Sequence, residues 1–182
     1  HKHDYKESVK TFNPKTIHET IYYICVNIEV KKVLDGLDNW IDLSKYIDRT
    51  KYYETMGIDR IFACEAISDC VIVDAGSAIT VDLVVNSSFE GGFIYPGIDA
   101  MRETYKSISP VLEYLFNYKV DLSKMPKNSR DAISYGYLKT LHGEVMSHEK
   151  KIFLTGGNAQ ELLSIFPDAR LNQHLIFDGM KK

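Results

Sequence analysis

No apolar run in this 182-residue chain approaches the roughly 20 residues that a membrane-spanning helix needs, and the opening HKHDYKESV does not read as a leader peptide. A cytoplasmic protein with no membrane partner is the expectation. Cysteine is scarce: Cys25, Cys64 and Cys70 are odd in number and lack the paired short spacing of a zinc site. They read as buried thiols in a reducing compartment. The six histidines are scattered, with no His-x-x-x-His pair, so a metal centre built from protein ligands is not expected. Excess positive charge is missing too, and a net charge of −3 gives no general attraction to phosphate backbones. Nucleic acid is therefore not the expected partner. What is present, 45% hydrophobic and 26% charged residues, suffices for a buried core in one large domain or two small ones.

The opening sixteen residues are polar and read as a surface loop or edge strand. TIYYICVN (20–27) is apolar and rich in β-formers, which predicts a buried strand. IEVKKVLDGL follows with helical spacing and ends near Gly36, while NWIDLSKYI is ambiguous. Ile58, Ile61, Phe62 and Ala66 recur at helical spacing, placing Asp59 and Arg60 in a first turn. Two strands then flank a small-residue centre in VIVDAGSAITVDLVV (71–85), and GGFIYPG (91–97) is a third strand candidate. Residues 98–118 read as helix broken near Pro110. Asn128 suits an N-cap, with Asp131 three residues on. KIFLTGG (151–157) predicts a short strand running into two glycines, NAQELLSIF a helix, and LIF a last apolar segment. Consecutive hairpin strands, then helices, then a strand–glycine–helix unit predict an α/β fold with a mixed sheet.

Four short segments have the residue types that chemistry needs. The turn Asp74-Ala75-Gly76-Ser77-Ala78 holds a carboxylate, a glycine and the hydroxyls of Ser77 and Thr80. Consecutive amides at such a bend form an anion-binding concavity, and hydroxyls add donors for phosphate oxygens. Asp74 would repel a bare phosphate, so a cation between them, or a role in holding the loop, is required. Gly156 and Gly157 before a helix let a ring or phosphate approach backbone closely, although Gly-Gly is also an ordinary connection. Gly57-Ile58-Asp59-Arg60 pairs a carboxylate with a guanidinium, which is either a surface pair or, in a cleft, a base beside an anion clamp. The turn residues of 91–97 read as structural punctuation.

The order of these segments is more specific than any one of them. Gly-x-Asp-Arg, Asp-x-Gly-Ser-Ala-x-Thr, Gly-Gly-x-x-x-Pro-Gly, Ser-Arg-Asp-Ala-Ile and Thr-Gly-Gly together resemble the type III pantothenate kinases, from about Gly57 to the C-terminus. The resemblance implies two related actin-like (ribonuclease H-like) α/β domains around an ATP cleft, here 1–70 and 71–182. It also implies phosphorylation of pantothenate to 4′-phosphopantothenate by ATP with Mg2+, the first step towards coenzyme A, assisted by K+ or NH4+, in a homodimer. By position, Asp59 would take the proton from pantothenate's hydroxyl. Gly57, Ile58 and Arg60 would line the pantothenate site, with Arg60 placed for the carboxylate, and Ser129 would reach it, across the dimer. Asp74 would help bind the monovalent cation. Gly76, Ser77 and Thr80 would serve the ATP phosphates, and Gly156 and Gly157 the adenosine end.

The chain departs from the family pattern in three places. Ser77 stands where the family has Thr, and Ser129 does likewise. A family tyrosine in a Pro-containing segment upstream of Gly57 has no clear counterpart; Tyr52 and Tyr53 lie closer without a proline, and Tyr53 is the candidate. The family's first phosphate loop, Asp-x-Gly-Asn-Thr, is absent and its last helix is cut short. The expectation is an incomplete N-terminal domain in a chain that is part of a longer protein, with residues 71–85 exposing a sheet edge where a strand is missing. Two other readings stand beside the kinase: a non-catalytic accessory or regulatory relative, and a kinase of the same architecture for another small hydroxyl compound.

Overall fold

A computed structural model describes residues 11–182. The chain divides into two compact units, the first ending at Ile61 and the second covering Phe62–Lys182.

In the first unit, β1 (Ile21–Tyr23) and β2 (Trp40–Asp42) pair in parallel through α1 (Ile28–Leu34). Asn27 opens α1 because its side chain accepts hydrogen bonds from the Glu29 and Val30 amides at 3.0 and 3.1 Å. The helix stops at Asp35, just before Gly36. The strand predicted over 20–27 is shorter than expected, and Tyr22 is exposed while Tyr23 is buried. A two-stranded sheet has a free face, so alternation replaces full burial. The ambiguous segment resolves into β2 and a 3-10 turn, Leu43–Lys45, capped by Asp42. Lys31 joins Asp35 at 3.0 Å and also pairs with the buried Asp42, while the Tyr23 hydroxyl donates to Asp35 at 2.8 Å. Residues 1–10 of the polar opening lie outside the described residues; its end forms a 3-10 turn, Pro14–Thr16.

The second unit is a five-stranded mixed sheet in the order β5-β4-β3-β6-β7, made of β3 (Cys70–Ala75), β4 (Ala78–Val85), β5 (Ser88–Pro96), β6 (Ile152–Thr155) and β7 (Arg170–Leu171). Only β4 runs against the other four. Alternation along the strands divides the sheet's two faces. Val71, Val73, Ala75, Ile79, Val81 and Leu154 join the main core, with α3 (Ile98–Ile108) and α4 (Ser129–Ser147) contributing Ile98, Met101, Leu138, Leu141 and Val145. Cys70, Ile72 and Val84 are buried on the other face. α6 (Leu175–Gly179) approaches the Phe62 backbone so closely that a Cβ on Gly179 would lie 2.8 Å from the Phe62 carbonyl carbon. Helices thus flank a mixed sheet, as the element order predicted.

Several expectations need correction. Residues 71–85 do not present a sheet edge: β3 and β4 are both interior, and β5 and β7 are the edges. The helix predicted over 158–166 is one turn, α5 (Ala159–Leu162), so no extended helix dipole follows the two glycines. The helix at 98 ends at Ile108, because Ser109 before Pro110 is extended, and only a 3-10 turn, Pro110–Leu112, follows. The turn between β4 and β5 has positive φ at both Asn86 and Ser87, the type I′ geometry whose twist matches a hairpin. Asn128 caps α4 as predicted, accepting from the Asp131 amide at 2.9 Å.

Candidate active site

The turn after β3 lies where β3 and β6 end side by side, at the carboxyl ends of parallel strands, where open α/β sheets bind ligands. Asp74 stands opposite Thr80 of β4 and beside Thr155 of β6, so a carboxylate and two hydroxyls form one cross-strand row. The Thr80 hydroxyl oxygen is buried with no hydrogen-bond partner. A buried unsatisfied hydroxyl costs about 1–3 kcal/mol, which a bound group could offset. Ser77 is exposed at the tip of the turn, and the Gly76 amide closes it by donating to the Ala78 carbonyl at 2.9 Å.

Gly76 is not the glycine this geometry demands. A Cβ on Gly76 would make only ordinary contacts, 3.5 Å to the Ala78 carbonyl oxygen and 3.9 Å to Asp74 Oδ1. The demanding positions are Gly97 and Gly156, on segments packed against the turn. A Cβ on Gly97 would stand 2.8 Å from the Gly76 carbonyl oxygen and closer still to that of Ser77. The Gly97 amide donates to that Ser77 carbonyl at 3.1 Å. Gly156 has φ +90, and a Cβ there would lie 2.8 Å from the Ala75 backbone nitrogen and would collide with Asp74 Oδ1. Asn158 ties the same side down, its amide donating to the Ala75 carbonyl at 2.9 Å. Gly157, by contrast, has open space around it. The 91–97 segment is thus more than punctuation, because Gly97 belongs to the turn's support. Gly91, at φ +140, stays with the structural reading, beside the irregular register of β4 and β5.

In the first unit, Gly57 and Ile58 lead into α2 (Ile58–Ala66), whose first turn carries Asp59 and Arg60. Asp59 Oδ1 accepts from the Arg60 amide at 2.9 Å, which holds its carboxylate at the helix start. Arg60 is buried, donates to the Tyr53 hydroxyl, and lies over the Tyr53 ring with 5.7 Å from guanidinium carbon to centroid. The surface-pair reading of Asp59 and Arg60 therefore fails for Arg60, since exposed pairs do not bury the guanidinium. Arg49 shapes the approach, donating to the Glu54 and Met56 carbonyls at 3.2 and 3.0 Å. Tyr53, Gly57, Asp59 and Arg60 are brought together, whereas Ser129 stands exposed at the first position of α4.

Two functional candidates emerge only from the fold. Asp82 is 1% exposed and lies on the strand face shared with Thr80; its signal in the chain is a carboxylate interrupting the apolar alternation of ITVDLVV. Thr155, 3% exposed, is noticeable only once β6 lies beside β3. Cys64 and Cys70 are buried thiols, and burial, with Asp69 nearby, pushes the Cys70 thiol up to about 12. Cys25 is only half-buried. Among the described residues no helix is long and apolar enough to cross a membrane.

Comparison with known proteins bears directly on this arrangement. The sequence profile of the type III pantothenate kinases matches residues 11–150. A type III pantothenate kinase of Sulfurimonas denitrificans is 59% identical over 177 residues, covering 97% of this chain and 86% of the relative. One from Helicobacter pylori strain J99 is 37% identical over 179 residues, covering 97% and 79%. Among solved structures, a Campylobacter jejuni protein described as a conserved member of the Baf family of transcriptional activators superposes with a TM-score of 0.82 at 43% identity, covering 91% of this chain and 81% of that one.

Proposed function

The chain belongs to the type III pantothenate kinase family, is a kinase that phosphorylates pantothenate in coenzyme A biosynthesis, and we propose that it does so with Asp59 as base and the 74–80 turn as phosphate site. The observation that carries the site reading is the buried, unpartnered hydroxyl of Thr80 opposite Asp74 at the end of β3. Phosphoryl transfer asks the protein mainly for positioning and charge neutralisation. The Ser77 and Thr80 hydroxyls, with Gly76, bind phosphate oxygens of ATP. Gly156 and Gly157 serve the adenosine end. Asp59 accepts the proton of pantothenate's primary hydroxyl. Arg60 meets its carboxylate, oriented by Tyr53, and Gly57 and Ile58 complete the wall.

The residues around Asp74 fit a monovalent cation, K+ or NH4+. Asp74 supplies the charge, Thr80 a buried hydroxyl oxygen that accepts no hydrogen bond from the protein, and the missing Cβ of Gly156 leaves room at Asp74 Oδ1. Bound there, with Mg2+ carried on ATP, the cations supply positive charge to the transferring phosphoryl group. We further propose that the enzyme is cytoplasmic and works as a homodimer through which Ser129 reaches pantothenate. Ile108, Val111 and Leu115, at 65, 74 and 73% exposed, support an interface in the segment leading to α4. The strand order β5-β4-β3-β6-β7, with only β4 reversed, supports a ribonuclease H-like second domain, and the compact units divide at Ile61/Phe62 rather than at the expected residue 70. A second reading, an accessory or regulatory role, draws on the description of the Campylobacter jejuni structure.

A coupled ADP-release assay with ATP, Mg2+ and pantothenate, with and without K+, tests the proposal. Release that requires pantothenate and rises with K+ is the expected result. Pantothenate-dependent release indifferent to any monovalent cation would remove the Asp74 cation site. No pantothenate-dependent release would turn the reading towards the accessory role.

A further inference from the structure

Outside the residues already discussed, one buried hydroxyl reaches the phosphate turn through a single peptide group. Tyr137, two turns into α4 and 7% exposed, packs edge-on against Tyr95 at 4.9 Å and Phe116 at 5.7 Å between ring centroids. Its hydroxyl donates to the carbonyl of Pro96, 41 residues earlier in the chain. Burial, with Tyr95 and Tyr118 nearby, holds this hydroxyl above the ordinary phenol range, so it remains a donor through neutral pH. The other end of the same peptide is the Gly97 amide, which donates to the Ser77 carbonyl.

A peptide group is planar, so fixing its carbonyl fixes the direction of its amide. With the Pro96 oxygen held by Tyr137, the Gly97 N–H is aimed at Ser77. The Ser77 carbonyl is in turn committed to Gly97. The Ser77–Ala78 peptide is trans, so the Ala78 N–H on that next plane is directed away from Gly97. Two linked peptide planes therefore set how the amide at the turn's tip is presented. The missing Cβ of Gly97 is what lets the two segments approach this closely.

We propose that Tyr137 is a positioning residue for ATP, orienting the phosphate turn through the Pro96–Gly97 peptide. This rests on the reading of the 74–80 turn as the phosphate site. Such orientation acts on nucleotide binding rather than on pantothenate, because the relay ends at Ser77. A tyrosine that merely fills the core would, when trimmed, loosen the domain without distinguishing the two substrates.

The test is Tyr137→Phe, which removes the hydroxyl and keeps the ring, measured beside Ser77→Ala and the unaltered protein. KM for ATP is expected to rise about five- to tenfold in Tyr137→Phe, in line with loss of one orienting hydrogen bond, while KM for pantothenate stays within about twofold. The melting temperature should fall by no more than about 4–8 °C. If Ser77→Ala raises KM for ATP and Tyr137→Phe does not, the positioning role is overturned and the phosphate turn stands. A parallel rise of both KM values with a larger fall in melting temperature reduces Tyr137 to a core residue. If Ser77→Ala leaves KM for ATP unchanged as well, the phosphate-turn reading fails and takes the proposal with it.

Discussion

Around Asp59 the backbone is shaped by long side chains: Arg49 gathers the carbonyls of Glu54 and Met56, and Arg60 lies buried against Tyr53. Around Ser77 the shaping is done by backbone against backbone, with Gly97 on one side and Gly156 on the other approaching where no Cβ fits. The difference teaches where each segment is vulnerable. A segment held by side chains tolerates changes in backbone flexibility and fails when a functional group is lost. A segment clamped by glycines tolerates changes at its own tip and fails when a methyl group is added to its neighbours.

The largest expected effect is on the side-chain half of that contrast. Asp59→Asn should lower kcat by ~100-fold or more, the range for losing a general base, with the melting temperature nearly unchanged. Near-normal turnover would take Asp59 out of the mechanism. Next comes Gly156→Ala. The added methyl meets backbone and a carboxylate at a φ of +90, so the turn must shift. Destabilisation of about 1–3 kcal/mol and at least a ~10-fold loss in kcat/KM are expected, read by thermal melting and steady-state kinetics. If the variant matches the parent, the clamp is not what shapes the turn.

A smaller effect concerns the first unit away from the site. Burial pushes the Asp42 carboxyl up, but the hydrogen bonds from Lys31 and Ser44 outweigh this and hold it below its ordinary value. Hydrogen bonds to Asp42 and Asp35 raise Lys31, against the opposing effect of burial. The signs set the window. Stability from the depressed carboxyl is complete above about pH 4 and is lost as pH falls through its folded-state value. Stability from the raised ammonium is complete below about pH 10 and is lost as pH climbs beyond it. Lys31→Met should therefore cost about 1–2 kcal/mol at neutral pH and flatten the loss of stability on acidification. Trp40, the only tryptophan, packs edge-on to Tyr23 at 5.9 Å, so its fluorescence during acid titration reports this unit. An unchanged acid profile would show that the pair contributes nothing measurable.

The smallest effect is the sharpest control. Gly157→Ala has open space for its methyl and should leave stability within about 0.5 kcal/mol, although its sequence neighbour does not. A loss equal to that of Gly156→Ala, again by thermal melting, would erase the distinction between a clamping glycine and an ordinary one.

Much of the site is legible in the amino-acid sequence. Asp74, Ser77 and Thr80 stand out because a tight turn between apolar strands rarely needs a carboxylate and two hydroxyls. Asp59 and Arg60 stand out because helical spacing from Ile58 to Ala66 puts them in a first turn. Asn128 declares the start of α4 through a capping bond that spans three residues. The α/β class follows from the order of strands and helices, and the family from the order of short motifs.

Less legible is anything that depends on which segments become neighbours. That β4 is interior, that α5 is a single turn, and that β7 closes the sheet do not follow from local spacing. The sequence by itself determined the periodicities, the caps and the chemistry carried by the 57–60 and 74–80 segments, because these depend on residues a few positions apart. Only the tertiary structure decided that Gly97 and Gly156, rather than Gly76, have no room for a side chain. It alone brought Tyr137 to Pro96 and left Thr80 unpartnered. The space available to a Cβ is set by backbone arriving from roughly twenty to eighty residues away, and no local pattern in the chain encodes that distance.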